Sequence, residues 1–177
     1  EGGVAMAVPA DIGDAQQVET LFSIAEKELG TVEALVNNAG IAQQKLFTDI
    51  TEEDWDELFR VDVKGVFLCC RRALPGMIRR QNGCIINISS MWGQVGASCE
   101  VHYSAAKAAI IGLTKALAKE LAPSHISVNG VSFGVIDTDM NRCFDEEERA
   151  SLAEEIPYGR FASPEVPLIC PSCLHVF

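Results

Sequence analysis

Tyr103 and Lys107 stand four residues apart in Tyr103-Ser104-Ala105-Ala106-Lys107, and Ser90 closes an apolar run upstream of them. A tyrosine and a lysine at i and i+4 share one face of a helix. There an ammonium can stabilise a phenolate and draw a phenol below its reference pKa of about 10. A phenol to give a proton, a cation to tune it and a hydroxyl to orient an oxygen are suited to proton transfer onto a carbonyl. Taken alone, the Tyr/Lys spacing also describes an ordinary surface pair.

The elements that must hold these residues follow from apolar spacing. Residues 4–8 (Val4-Ala5-Met6-Ala7-Val8) read as a short buried strand ended by Pro9, with Asp11 just beyond. Over 14–29, Val18, Leu21, Phe22, Ala25 and Leu29 mark an amphipathic helix stopped by Gly30. A second strand, 32–36, runs into Asn37-Asn38-Ala39-Gly40. Thr51-Glu52-Glu53-Asp54 opens a helix with acids in its first turn, where the macrodipole favours them. Helical pattern then continues to about Arg80 with a break near Asp62. A third strand over 84–88, a long helix over 104–122 and a fourth strand over 126–131 complete the series. Solid apolar strands alternating with helices predict an α/β fold with a doubly wound parallel sheet covered on both faces. Ser90 then falls at the carboxyl end of its strand, where open parallel sheets place their functional groups.

Composition narrows the function. Hydrophobic residues at 48% and charged residues at 22% describe a globular chain. Acids outnumber bases 25 to 14, which argues against binding a phosphate backbone and so against nucleic acid. No apolar run approaches the ~18 residues of a membrane span, so no membrane association is expected. Glu1 opens the chain with neither methionine nor signal peptide, which points to a start lying upstream and a cytoplasmic protein. Seven cysteines, odd in number and mostly within apolar segments, fit buried thiols better than a disulfide framework.

Four motifs now stand in order: Asn37-Asn38-Ala39-Gly40, Ser90, Tyr103 with Lys107, and Ile136-Asp137-Thr138-Asp139-Met140. Together they resemble the short-chain dehydrogenase/reductase family, in particular its 3-oxoacyl-[acyl-carrier-protein] reductase branch. The resemblance runs from about Val4 to Glu165. It implies an NAD(P)H-dependent reduction of a ketone to a secondary alcohol, in fatty acid biosynthesis if the branch holds. Tyr103 would protonate the carbonyl oxygen, Lys107 would tune Tyr103 and hold the nicotinamide ribose, and Ser90 would bond the substrate oxygen. Asp11 and Ile12 match the family's adenine contacts. Asn37, Ala39 and Gly40 line its cofactor cleft, and Ile136 and Thr138 seat the carboxamide. The cofactor expectation is NADP(H) ahead of NAD(H), with no metal.

The chain also departs from the family. Its glycine-rich turn and first βαβ portion are missing, because residue 1 falls near the family's third strand. That turn brings backbone N–H groups to the pyrophosphate, so weak cofactor binding is expected. Asp62 stands where the family has an asparagine that holds a water in the proton relay, which implies an altered proton supply. Phe133-Gly134 replaces Pro-Gly after the fourth strand. Residues 1–165 therefore read as a partial Rossmann-like reductase domain and 166–177 as an atypical tail, in keeping with a shifted reading frame, that loses the family's last strand. Within it, Cys170, Cys173 and His175 could be half a zinc site, with no second half to complete it.

Substrate and partner rest on fewer residues. Glu100, three positions before Tyr103, either faces the pocket mouth or is a solvated loop charge. In the pocket it would suit a cationic or hydroxylated substrate. The segment 90–100 also resembles bacterial reductases acting on an aminopentanone group of elongation factor P. Arg71-Arg72 and Arg79-Arg80 could dock an acidic acyl carrier protein or form a solvated helix face. The uncharged stretch 108–114 predicts a helix packed on the sheet and on a second surface, either another subunit of a homo-oligomer or the rest of this chain. A reading of another class is an inactive fragment that acts only through association, since a lost βαβ portion exposes a sheet edge.

Overall fold

The computed structural model describes residues 2–139 and 144–164. Three parallel strands, β1 (Ala34–Asn37), β2 (Gly83–Ser90) and β3 (Ile126–Phe133), lie side by side in that order. Asn37 pairs with Asn87 and Ser90 with Phe133, so all three carboxyl ends open on one edge. Parallel neighbours need helical crossovers. These are α2 (Glu52–Phe59) and α3 (Gly65–Arg80) between β1 and β2, and α4 (Trp92–Val95) and α5 (Val101–Leu121) between β2 and β3. Helix α1 (Ala15–Leu29) precedes the sheet and α6 (Glu146–Glu155) follows it.

Local chemistry explains the helix ends. The Asp14 carboxylate caps α1 by accepting from the backbone N–H groups of Gln16 and Gln17, and Gly30 ends it at φ 88°. Thr51 and Asp54 form a reciprocal capping box on α2. The expected break near Asp62 is a single π-helical turn, Arg60–Lys64, joining α2 to α3. Gln81, left-handed at φ 52°, stops α3 after Arg79 and Arg80.

Asn87 shows which side of the sheet carries the core. It accepts a hydrogen bond from Asn37 of β1 at 2.8 Å and donates one to Thr114 of α5 at 3.0 Å. Asn37 also reaches the Cys70 thiol of α3 at 3.3 Å. Helices α3 and α5 therefore cover the same face, and Phe22, Val66, Met77, Ile85, Ile110 and Val128 fill the space beneath them. On the other face Val36 is 55% exposed and Ile86 is half-buried. Among the described residues that second face is open, in contrast to the two-sided cover expected from the apolar strands.

Residues 4–8 are not a strand. Val4 is 85% exposed, and no described segment takes up their N–H and C=O groups. An apolar run becomes a strand only beside another strand. Helix α5 begins at Val101, three residues before its expected start, and β3 runs two residues further, to Phe133. The expected tail 166–177 and Met140 lie outside the described residues, as do Cys170, Cys173 and His175.

Candidate functional site

The carboxyl ends of the strands open into a cleft of about 960 Å³. Its lining brings together Asn38, Ala39 and Gly40 after β1, Ser89 and Ser90 at the end of β2, and Tyr103 and Lys107 on α5. Ile136 and Thr138 after β3 and Glu100 before α5 line it as well. Asp11, Ile12 and Asn37 lie apart from this lining. Asp11 is held by two hydrogen bonds from one Arg60 guanidinium nitrogen, Ile12 packs against the core where Gly65 leaves room, and Asn37 belongs to the buried amide network.

Helix α5 is gripped at the lysine. The Ser89 hydroxyl donates to the Lys107 carbonyl at 2.9 Å. Gly93 of α4 lies so close that a Cβ there would meet the Lys107 carbonyl carbon at 2.7 Å. Tyr103 packs with Leu58 of α2 and Ala106, beside Phe59, Val63 and Trp92. These contacts fix the stretch of α5 that carries both functional side chains.

Burial sets the phenol's chemistry. Tyr103 is 8% exposed, and desolvation pushes its pKa up to about 12. A hydrogen bond with Ser90 acts the other way, while the Asp62 and Glu100 carboxylates push it further up. The expected lowering by Lys107 is not met. The ammonium sits 5.4 Å over the Tyr103 ring, but it is paired at 2.9 Å with the buried Asp62 carboxylate. Asp62 also accepts from the Ile41 N–H at 2.8 Å. It lies beneath the cleft and does not line it.

Glu100 is half-buried in the lining, accepts from Gln44 at 3.3 Å, and is raised above the usual carboxylate range by desolvation. Sequence reasoning missed Gln43, Gln44 and Trp92, which line the same space, together with Phe144 just before α6 and Leu152 within it. Gln43 and Gln44 directly follow the Asn37–Gly40 string, which is the one signal that could have placed them. Arg72 is committed to ion pairs with Glu19 and Glu26, while Arg71, Arg79 and Arg80 are exposed on that helix, Arg80 donating to the Val32 carbonyl.

A cleft at the carboxyl ends of a parallel sheet, with phenol, hydroxyl and ammonium converging on it, defines a class: α/β proteins that bind a ligand outside their strand ends. Within it, the model of the short chain dehydrogenase family matches residues 1–149, and the chain belongs to that family. It is 38% identical over 161 residues to a 3-oxoacyl-[acyl-carrier-protein] reductase of Staphylococcus aureus, covering 91% of this chain and 65% of that protein. A reductase of the same name from Aquifex aeolicus is 47% identical over 134 residues, covering 76% and 54%. A solved gluconate 5-dehydrogenase from Burkholderia cenocepacia, in complex with NADP and tartrate, superposes with a TM-score of 0.82 at 32% identity, covering 86% of this chain and 61% of that one. The chain thus spans less than two thirds of the length of these relatives.

Proposed function

We propose that this chain supplies the catalytic part of an NAD(P)H-dependent oxidoreductase that reduces a ketone to a secondary alcohol. The observation that carries this reading is the Tyr103 phenol, set with Ser90 and Lys107 in the cleft at the strand ends. The cleft lies within the ~300–1,000 Å³ range of small-molecule sites, and its polar groups suit the nicotinamide-ribose half of a dinucleotide. Lys107, Asn38, Ile136 and Thr138 would hold that half. The bound cofactor would supply a hydride. Tyr103 would then protonate the carbonyl oxygen and Ser90 would orient it. NADP(H) is proposed ahead of NAD(H) because the solved gluconate 5-dehydrogenase carries NADP.

The substrate reading follows the relatives: a 3-oxoacyl group on an acyl carrier protein, with Arg71 and Arg79 as the docking charges. One observation favours a second reading. The Glu100 carboxylate, hydrogen-bonded to Gln44 within the cleft, suits a small polar or cationic carbonyl, such as an aminopentanone group, better than a plain acyl chain. The uncharged stretch of α5 leaves Ala108 and Gly112 exposed, which supports assembly of the domain as a homo-oligomer. Residues 1–165 form the proposed reductase portion and 166–177 a separate tail.

Tyr103→Phe tests the assignment. NADPH consumption with a 3-oxoacyl thioester or an amino ketone should fall by roughly 10²–10⁴, while NADPH affinity measured by fluorescence stays within about twofold. Retained turnover would remove Tyr103 as the proton donor. Absence of any turnover or NADPH binding in the parent protein would favour the fragment acting through association alone.

A further inference from the structure

Asp62 and Lys107 form an ion pair that is almost completely enclosed. The Asp62 side chain is 0% exposed and that of Lys107 is 7% exposed, with 2.9 Å between Oδ2 and Nζ. Asp62 comes from the π-helical turn, Lys107 from α5, and the Asn38–Gly40 segment closes over them. Gly40 is glycine for a spatial reason, since a Cβ there would stand 2.8 Å from the Asp62 oxygen and 3.1 Å from the Lys107 nitrogen. A buried charge without a partner is costly, and each of these two groups is the other's close opposite charge.

We propose that Asp62 is a positioning residue whose carboxylate cancels the field of Lys107 at Tyr103, so that the phenol holds its proton more tightly than it would beside a lone ammonium. This inference rests on the reading of Tyr103 as proton donor. Among the described residues, the charged groups around the phenol are few. Glu100 faces it from the segment before α5, and Asp62 and Lys107 face it from the turn and from α5 itself. β2 contributes only the hydroxyls of Ser89 and Ser90. Toward α2, Asp54 is tied to Lys45, and His102 turns to Gln43.

A lone ammonium near a phenol would stabilise the phenolate. An ammonium bonded to a carboxylate presents a dipole instead, and a dipole's field falls off faster with distance. Desolvation then dominates, in keeping with the phenol's rise to about 12. In the reductive direction the ketone carbon receives a hydride from reduced nicotinamide and its oxygen takes the Tyr103 proton. The phenolate left behind recovers a proton from water.

The chain holds two tyrosines, Tyr103 and the exposed Tyr158, so Tyr158→Phe leaves a single phenol to titrate. Its ionisation is followed by the ultraviolet absorbance of phenolate, with far-ultraviolet circular dichroism reporting the fold. Adding Asp62→Asn should raise the phenol's ionisation constant at least tenfold, with phenolate forming while the fold persists. An unmoved midpoint, or phenolate that appears only as the dichroism collapses in both proteins, overturns the proposal. Where Asp62→Asn does not fold, Asp62→Leu with Lys107→Met carries the test, because removing both charges should leave the midpoint within about half a unit of the parent's. A fall of a unit or more in that double variant refutes the cancellation. The proton-donor reading itself stands or falls separately, on the turnover of Tyr103→Phe.

Discussion

Replacing Asn87 with leucine probes the hinge between the fold and the site. The two side chains have nearly the same shape, so little packing changes. Asn87 is 0% exposed and bridges Asn37 at the end of β1 to Thr114 on α5. Leucine removes the acceptor of an Asn37 N–H, whose remaining partner is a thiol at 3.3 Å. An orphaned buried donor costs about 1–3 kcal/mol, and the lost bond to Thr114 about 0.5–1.5 kcal/mol. The Thr114 hydroxyl keeps its bond to the Ile110 carbonyl at 2.7 Å and adds little. Asn87→Leu should therefore destabilise the chain by about 2–4 kcal/mol, a large share of a domain's ~5–15 kcal/mol. Urea unfolding followed by circular dichroism measures it. A second change, Asn37→Leu, should recover most of the loss, because matched apolar partners leave nothing unsatisfied. Thr114→Val should recover little. A loss under about 1 kcal/mol for Asn87→Leu, or no recovery with Asn37→Leu, would show that the amide network does not hold strand to helix.

Gly93→Ala forces a Cβ to within 2.7 Å of the Lys107 backbone, where neither side can yield by rotating a side chain. It should lower stability by about 1–3 kcal/mol in the same urea assay, and a change within about 0.5 kcal/mol would mean that α4 does not press on α5 as described. If Glu100 holds a cationic substrate, its carboxylate must be ionised. Its raised pKa means that protonation sets in at a higher pH than for an exposed glutamate. The KM for an amino ketone should therefore rise as pH falls, beginning above the pH at which an exposed glutamate would take up its proton, with kcat little changed, and Glu100→Gln should flatten that dependence. An identical pH profile for KM in Glu100→Gln would exclude Glu100 from substrate binding.

The elements of local origin were readable from the chain alone. Apolar spacing located α1 and the paired helices α2 and α3, and even the irregularity near Asp62, because each depends on neighbours along the helix. Residues 4–8 failed as a strand because strand character depends on a partner elsewhere in the chain. The polar Asn87 inside an apolar run gave no hint that it joins β1 to α5, which only tertiary contact reveals. In the site, the order of Ser90, Tyr103 and Lys107 was legible, and the structure places all three in one cleft. The state of Lys107 was not. Nothing in the local sequence of Asp62 shows that its carboxylate meets that ammonium, nor that burial of Tyr103 outweighs its neighbours and raises the phenol.

Seen as a matter of phase, the wide turn at Arg60–Lys64 is a slip of one residue in a helical run from Glu52 to Arg80. One residue of an α-helix is about 100° of rotation. The slip allows two amphipathic stripes on one rod to point in different directions. Leu58 before it meets Tyr103, while Cys70 and Met77 after it join the core beneath the sheet. Removing one residue here would smooth the helix and bring the two stripes into register. One of the two surfaces would then lose its apolar partner, and Asp62 would swing away from the lysine. The backbone irregularity is therefore the condition under which a single rod can serve core and cleft together.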